Sequence, residues 1–441
     1  MALTAAAVPL WIHLSQLDEC RGRTEQALAV LSAEEDRDPR REMKLHAALA
    51  SSSWWRAAGI YGQGVGLDLG VIWMKALEIA KKQADAEYQL RSLWGLYSFH
   101  LGIGQFRVAL ENAQRFHKLA AKQGQQNDQL IGDRMIGCLQ HLLGDQASAR
   151  RHTEKMLANF IPPEQKSHDH IRFQYDQHVA ARTVLARVLW LQGFPDQAVR
   201  TAESAIEEAG ETNSALSLCY ALAHAACPTM LWVEQLATAE HYTLMLLDLS
   251  IRHALPSWGA LGRIFRGVIV IRRGDIGSGL SLLRAGFDEF GGAMADWISV
   301  MFLSELAAGL GSTGQITDGL IAAEQAIERA EHTEARWLCA ELLRVKGELL
   351  LLQGANGAAA EAHFRQALDW ARQQGALSLE LRSATTLSRL LRDQGRSTDA
   401  TALLQPVYDR FTEGFDTADL KAAKALLDTL IEPVCGQAKT S

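Results

Sequence analysis

Apolar residues in this chain come in helical runs that pair off around a recurring glycine. The unit is an apolar run, a Gly, a few turn residues, then a second run with small residues at fixed offsets. Copies read LGIGQFRVALENAQRF from Leu101, LLGDQASARRHTEKM from Leu142, LQGFPDQAVRTAESA from Leu191, IRRGDIGSGLSLLRAG from Ile271, GSTGQITDGLIAAEQA from Gly311 and RDQGRSTDATALLQPV from Arg392. Aligned on the turn, Gly64, Gly104, Gly144, Gly193, Gly274, Gly314, Gly354 and Gly395 share one register, with Ser15 and Glu234 in the two slots that lack Gly. Successive spacings are 49, 40, 40, 49, 41, 40, 40, 40 and 41. A beat of this length is the mark of a helical repeat array.

The offsets have a physical reading. Five residues after the turn stand Ala109, Ala149, Ala198, Ala239, Gly279, Gly319 and Ala400; seven further on stand Phe116, Met156, Ala205, Leu246, Gly286, Ala326 and Val407. Positions at +5, +9 and +12 share one helix face, so a small residue at +5 lets the second helix pack closely on the first. The Gly ends the first helix in a left-handed cap without a Cβ clash, and Pro195 suits the first turn of the helix that follows Gly193. No proline occurs between Pro39 and Pro162 or between Pro256 and Pro406, as long helical runs require. The two 49-residue intervals carry insertions at the same phase, Ser32–Glu42 and Phe160–His170, predicted as surface loops. The predicted fold is all-α: a right-handed α-solenoid of about ten tetratricopeptide-like helical hairpins spanning residues 1–430, with Asp416–Leu430 capping the stack and 431–441 a flexible tail. The tetratricopeptide unit is the nearest named repeat, although its standard length is about 34.

Charge and composition narrow the partners. Lys plus Arg is 44 against 51 Asp plus Glu, a formal net charge of −7, which argues against nucleic-acid binding by bulk electrostatics. The opening MALTAAAVPLWIHLSQ lacks the basic start of a signal peptide. The most apolar stretch, Ser214–Val233, holds His224 and Pro228 and is flanked by Glu211 and Glu234, so a buried helix is predicted there rather than a membrane span. Six scattered cysteines with no C-x-x-C pair fit reduced, buried thiols and a cytoplasmic protein.

Candidate chemistry is sparse. The Gly-rich stretch Gly59–Gly70 lacks the ending of a P-loop and the spacing of a dinucleotide fingerprint, and the repeat phase puts Gly64 at a turn instead. His168, His170 and His178 lack the four-ligand pattern of a closed zinc site. No nucleophile or metalloprotease motif occurs, so the expectation is a non-enzyme with no cofactor and no metal. Trp54 and Trp94, two of 11 tryptophans, both precede their turn Gly by ten residues; core packing and partner anchoring are the two readings.

The final repeats have a familiar style. RWLCAELLRVKGELLLLQG (Arg336–Gly354), HFRQALDWARQQGALSLELRSATTLSRLLRDQGR (His363–Arg396) and VYDRFTEGFDTADLKAAKALLDTL (Val407–Leu430) resemble the C-terminal helical-repeat region of large bacterial regulators. In those a STAND-type ATPase is joined to a winged-helix DNA-binding domain or a nucleotide cyclase. DQLIGDRMIGCLQHLLGDQASARRH (Asp128–His152), IRFQYDQHVAARTVLARVLWLQGFPDQAVR (Ile171–Arg200) and LSLCYALAHAACP (Leu216–Pro228) are similar to the same group. The resemblance carries no catalytic residue, since that group's ATPase motifs and DNA-binding helix precede its repeats. It implies a sensor or partner-binding arm, with a protein partner (an ATPase, cyclase or winged-helix effector) or a small-molecule inducer, and without direct contact to nucleic acid or membrane. By resemblance to tetratricopeptide solenoids, the first helices line the concave face at about 13, 10 and 6 residues before the turn Gly. Those positions select Arg91, Trp94, Arg134, Arg187, Arg344, Arg382 and Arg389 as partner-binding candidates, with Glu341 and Glu348 nearby. Arg forks along such a groove suit carboxylates or phosphates. A constitutive scaffold without sensing, and an enzyme hidden in a helical fold, stay open as alternatives.

Overall fold

A computed structural model describes residues 2–13, 16–32, 38–57, 69–161, 172–290, 296–354 and 357–431. Every regular element among them is helical. The chain opens with α1 (Ala2–His13), α2 (Leu17–Ser32), α3 (Pro39–Ala57) and α4 (Leu69–Lys82). It continues through α5 (Ala86–Gly102), α6 (Phe106–Lys122), α7 (Gln126–Leu142), α8 (Gln146–Asn159), α9 (Gln177–Leu191) and α10 (Pro195–Glu211). Next come α11 (Ala215–Ala221), a π-helical turn (Leu222–Ala226), α12 (Cys227–Trp232) and α13 (Leu236–Arg252). The later repeats are α14 (Pro256–Arg272), α15 (Ile276–Glu289), α16 (Asp296–Ser312), α17 (Ile316–Thr333), a 3₁₀ turn (Arg336–Leu338) and α18 (Cys339–Leu352). The last are α19 (Gly357–Gln374), α20 (Leu377–Asp393), α21 (Ser397–Tyr408) and α22 (Ala418–Ile431). Sequential helices pack antiparallel, as short connections dictate, and the hairpins stack into an α-solenoid.

The period of forty turns out to be two ticks of about twenty. Left-handed residues recur at Ala84, Gly104, Gly124 and Gly144, then Gly193, Asn213, Glu234, Ala254 and Gly274, then Gly314, Glu334, Gly354, Gly375, Gly395 and Gly414. Both the turn within a hairpin and the turn between hairpins therefore use the same left-handed cap. The residue after the cap starts the next helix: Asp85, Asp145, Ser214 and Asp275 accept the amides of Tyr88, Ser148, Ser217 and Ser278, and Pro195 and Pro256 occupy first-turn positions. Glu234, φ +59°, does fill the slot of the missing Gly. Ser15 and Gly64 lie outside the described residues.

Core packing follows the predicted offsets. Ala109, Ala149, Ala198, Ala239 and Ala400 are completely buried, as are Phe116, Met156, Ala205, Leu246 and Ala326. At Gly279 a Cβ would stand 2.7 Å from the Gly267 carbonyl oxygen, so α14 and α15 meet backbone to backbone. The apolar run of Ala215–Trp232 passes for a membrane span by length and composition, yet 89% of it is buried inside the fold. It widens into its π turn just before Pro228, which lacks an N–H and crowds the carbonyl four residues back. Cys20, Cys138, Cys219 and Cys227 are buried free thiols; burial pushes Cys219 and Cys227 up to about 12. The first predicted loop is shorter than expected, because Pro39–Glu42 already belong to α3. In the second, Phe160 is buried and Ile161 accepts a 2.7 Å hydrogen bond from Asn127. Residues 33–37, 162–171 and 432–441, and with them most of both insertions and the tail, lie outside the described residues.

The stack also winds back onto itself. Arg107 pairs with Glu334 at 2.6 Å, 227 positions along the chain. Ser378 Oγ donates to the Trp190 carbonyl at 2.5 Å, and the Asp196 carboxylate accepts the Gly414 amide at 3.1 Å. The Glu413 carboxylate accepts from the Gln197 amide and side chain, both at 2.9 Å. Turns in α5–α10 thus meet turns of α17–α22 some five repeats later, and successive coils touch.

Candidate functional site

The segment before α9 and the later helices decide together which positions of the inner face are covered. Trp94 is 1% exposed, packed against Phe173 and Tyr175 with ring centroids 5.9 and 5.8 Å away. Arg134 is 1% exposed, donating to the Tyr97 hydroxyl at 3.2 Å and to Gln177 Oε1 at 2.5 Å. Arg187 is buried beside His224, Trp232, Met301 and Trp337, and Arg91 is half-buried over the Tyr88 ring at 4.9 Å. The expectation that these residues line an open concave groove is corrected for Trp94, Arg134 and Arg187. The segment leading into α9 covers Trp94, and the start of α16 and the 3₁₀ turn close over Arg187. Trp337 reaches across to His141 at 5.1 Å and Trp232 at 6.1 Å. The Trp54 side chain, His168 and His170 lie outside the described residues, and His178 is held 2.8 Å from Glu208.

Beyond α14 the inner face is open. A hollow of about 210 Å³ is lined by Arg272 of α14, Ser304, Glu305 and Ala308 of α16, Glu341, Arg344 and Val345 of α18, Arg382, Thr385, Thr386 and Arg389 of α20, Asp419 and Ala422 of α22, and Glu234. Its walls include the residues 13, 10 and 6 before Gly354 and Gly395 except Glu348, which sits beside it. Arg344, Arg382 and Arg389 are thus brought together in one hollow. Ser304 and Ala308 occupy the same offsets before Gly314 and were legible by that rule; Arg272, Glu305 and Asp419 lie off it.

The arginine forks are not vacant, which corrects the picture of a groove awaiting anions. Arg344 holds Glu341 through two hydrogen bonds of 2.8 and 2.9 Å and Glu348 through one of 2.6 Å. Arg382 stacks on the Trp190 ring at 5.0 Å and donates to Asp419 at 2.7 Å and to the Trp232 carbonyl at 3.2 Å. Arg272 donates to Glu305 at 2.5 Å and to the Leu231 carbonyl at 2.7 Å. Arg389 alone among these is exposed and makes no ion pair with a described residue.

These charges set the acid response. Burial raises the Glu341 pKa, but Arg344, then Arg382 and Arg272, outweigh it and hold the carboxyl at about 2 instead of 4.5. Burial, helped by Arg187, pushes His141 down to about 3 from 6.5. In both cases the unfolded chain takes up its proton first, so stability is complete above about pH 6.5 and is lost as pH falls toward 3 and then 2. Thermal melts between pH 7.5 and 3.5 should show a steadily falling midpoint; a flat midpoint down to pH 4 would contradict both shifts.

Comparison with known proteins agrees with the fold. No family model matches the chain. An uncharacterized protein of Rhizobium meliloti (strain 1021) is 24% identical over 327 residues, 71% of this chain and 30% of the relative. The chain thus spans less than a third of that relative's length. Among solved structures, a Rap protein complexed with competence and sporulation factor has a TM-score of 0.58 at 10% identity, covering 85% of this chain and 98% of that one. A signal transduction ATPase with numerous domains and a tetratricopeptide repeat sensor, from Pyrococcus horikoshii, has a TM-score of 0.43 at 12% identity, covering 88% and 55%. The class is a tetratricopeptide-like helical-repeat solenoid.

Proposed function

We propose that this chain is a non-catalytic, partner-binding repeat module of a bacterial signalling or transcriptional regulator, acting in the cytoplasm, with residues 1–430 working as one solenoid. The observation that carries the reading is the hollow between α14 and α22. It lies open on the inner face, and successive first helices of several hairpins contribute to it at one repeating phase. The resemblance of the repeats to sensor arms of ATPase-coupled regulators supports the same role. Its partner would be an ATPase, cyclase or winged-helix protein, or a small inducer. A ligand bridging α16, α18, α20 and α22 favours one curvature of the stack over another, and only such a difference in affinity between two states can transmit a signal.

Ala308→Trp tests this by filling the hollow whatever the chemistry of the occupant. Fractions of an extract from the source cells should raise the melting midpoint of the native chain in a concentration-dependent way and leave Ala308→Trp unmoved. Equal stabilisation of both proteins would place the partner elsewhere.

A further inference from the structure

The layering of charge in the hollow points to the kind of ligand it takes, an inference that rests on the groove being the docking surface. The arginines lie underneath. Side chains of Arg272, Arg344 and Arg382 are 14 to 18% exposed, whereas Glu305, Asp419, Glu348 and Glu234 are 24 to 51% exposed. Each carboxylate is also half used. Glu305 Oε1, Glu348 Oε1 and Asp419 Oδ2 face the arginines, while Glu305 Oε2, Glu348 Oε2 and Asp419 Oδ1 accept no hydrogen bond from a described residue. Glu234 touches Arg272 only at 3.8 Å. A carboxylate has about four lone-pair sites, so the arginine below fixes and ionises it without exhausting it. In the same wall Thr385, 6% exposed, leaves its Oγ1 without a hydrogen-bond partner. A buried hydroxyl in that state calls for an occupant.

We infer that the groove binds a cationic ligand bearing several ammonium or guanidinium groups, a polyamine or a basic peptide segment, across Glu234, Glu305, Glu348 and Asp419, with Thr385 taking a further polar contact. This reverses the anion-gripping role expected from the arginines: they hold the acids in place, and the acids meet the ligand. Arg389, the exposed cation on the same wall, opposes such a ligand.

Calorimetric titration of the full chain with spermidine and with a triarginine amide tests the assignment. Both should bind, more weakly as salt rises. Glu305→Gln/Glu348→Gln should weaken binding at least about tenfold, and Arg389→Ala should tighten it about two- to threefold. Arg389→Ala removes an exposed side chain with no ion pair, so that arm stands even if the double variant fails to fold. Tighter binding of spermidine assigns the polyamine, and tighter binding of triarginine the basic peptide. The inference is overturned if neither probe binds at millimolar concentration, if both variants bind like the native chain, or if citrate binds instead and Arg389→Ala weakens it. Should Ala308→Trp still abolish partner stabilisation in those cases, the groove reading stands and only its charge preference falls.

Discussion

Arg382→Met should lower the stability of this protein by about 3 kcal/mol or more, the range measured when one partner of a buried ion pair is removed. The side chain is the floor of the groove rather than a contact on its surface. It lies on α20, stacks on Trp190 of α9, bonds Asp419 of α22 and the Trp232 carbonyl of α12, and stands 3.6 Å from Glu341 of α18. Met fills most of the same volume, so the loss is electrostatic more than a cavity: Asp419 and the Trp232 carbonyl lose a donor whose own side chain is only 14% exposed. Adding Asp419→Asn should restore part of the loss, since the stranded charge goes with it. Arg389→Met, seven residues on and exposed, should change stability by no more than about 0.5 kcal/mol. Urea midpoints of the four proteins decide the matter. A cost below about 1 kcal/mol for Arg382→Met, or no recovery in the double variant, would show that the network is solvated and the floor is not sealed.

That contrast also marks what the sequence could and could not disclose. The spacing of Gly104, Gly144, Gly193, Gly274, Gly314, Gly354 and Gly395 revealed the hairpin, its left-handed turn and the phase of the inner face, because each is a local property with a local residue signature. Half the turns went unseen for an equally local reason. Ala84, Asn213, Ala254 and Glu334 adopt the same backbone as glycine without being glycine, while Gly124, Gly375 and Gly414 stand between the hairpins, outside the register set by the other glycines. The floor of the groove depends on something else, the return of the second coil onto the first, and the cover over Trp94 and Arg134 on the irregular segment before α9, which follows no repeat offset. Trp94 and Arg134 occupy the same offsets as Arg344 and Thr385; Phe173, Tyr175 and Gln177, at and before the start of α9, make the first pair core, while the second pair lines the open hollow. Repeat periodicity fixes what one hairpin does to the next and is silent on the pitch of the coil.

The joint between coils supplies the second large effect. Gly414→Ala should cost about 2–4 kcal/mol and expand the molecule, while Gly395→Ala should cost about 1 kcal/mol and leave its size unchanged. Both glycines are left-handed, with φ of +75° and +77°, so both substitutions carry the same backbone strain of about 1 kcal/mol. Their surroundings differ. A Cβ at Gly395 meets nothing, whereas one at Gly414 would lie 2.0 Å from the Pro195 Cγ. Proline cannot swing aside, and Pro195 is anchored at the first turn of α10, so the loop must lift away. Lifting it breaks the Gly414 amide bond to Asp196 and the two bonds from Gln197 to Glu413, each worth about 0.5–1.5 kcal/mol. The same loop leads into α22, whose first turn presents Asp419 to the groove, so a ligand drawing on Asp419 acts on the element that closes the coil. Small-angle scattering and urea midpoints on the two variants separate strain from closure. A larger radius of gyration for Gly414→Ala alone makes this contact the clasp between coils; equal midpoints and equal radii would mean that the coils stay together without it.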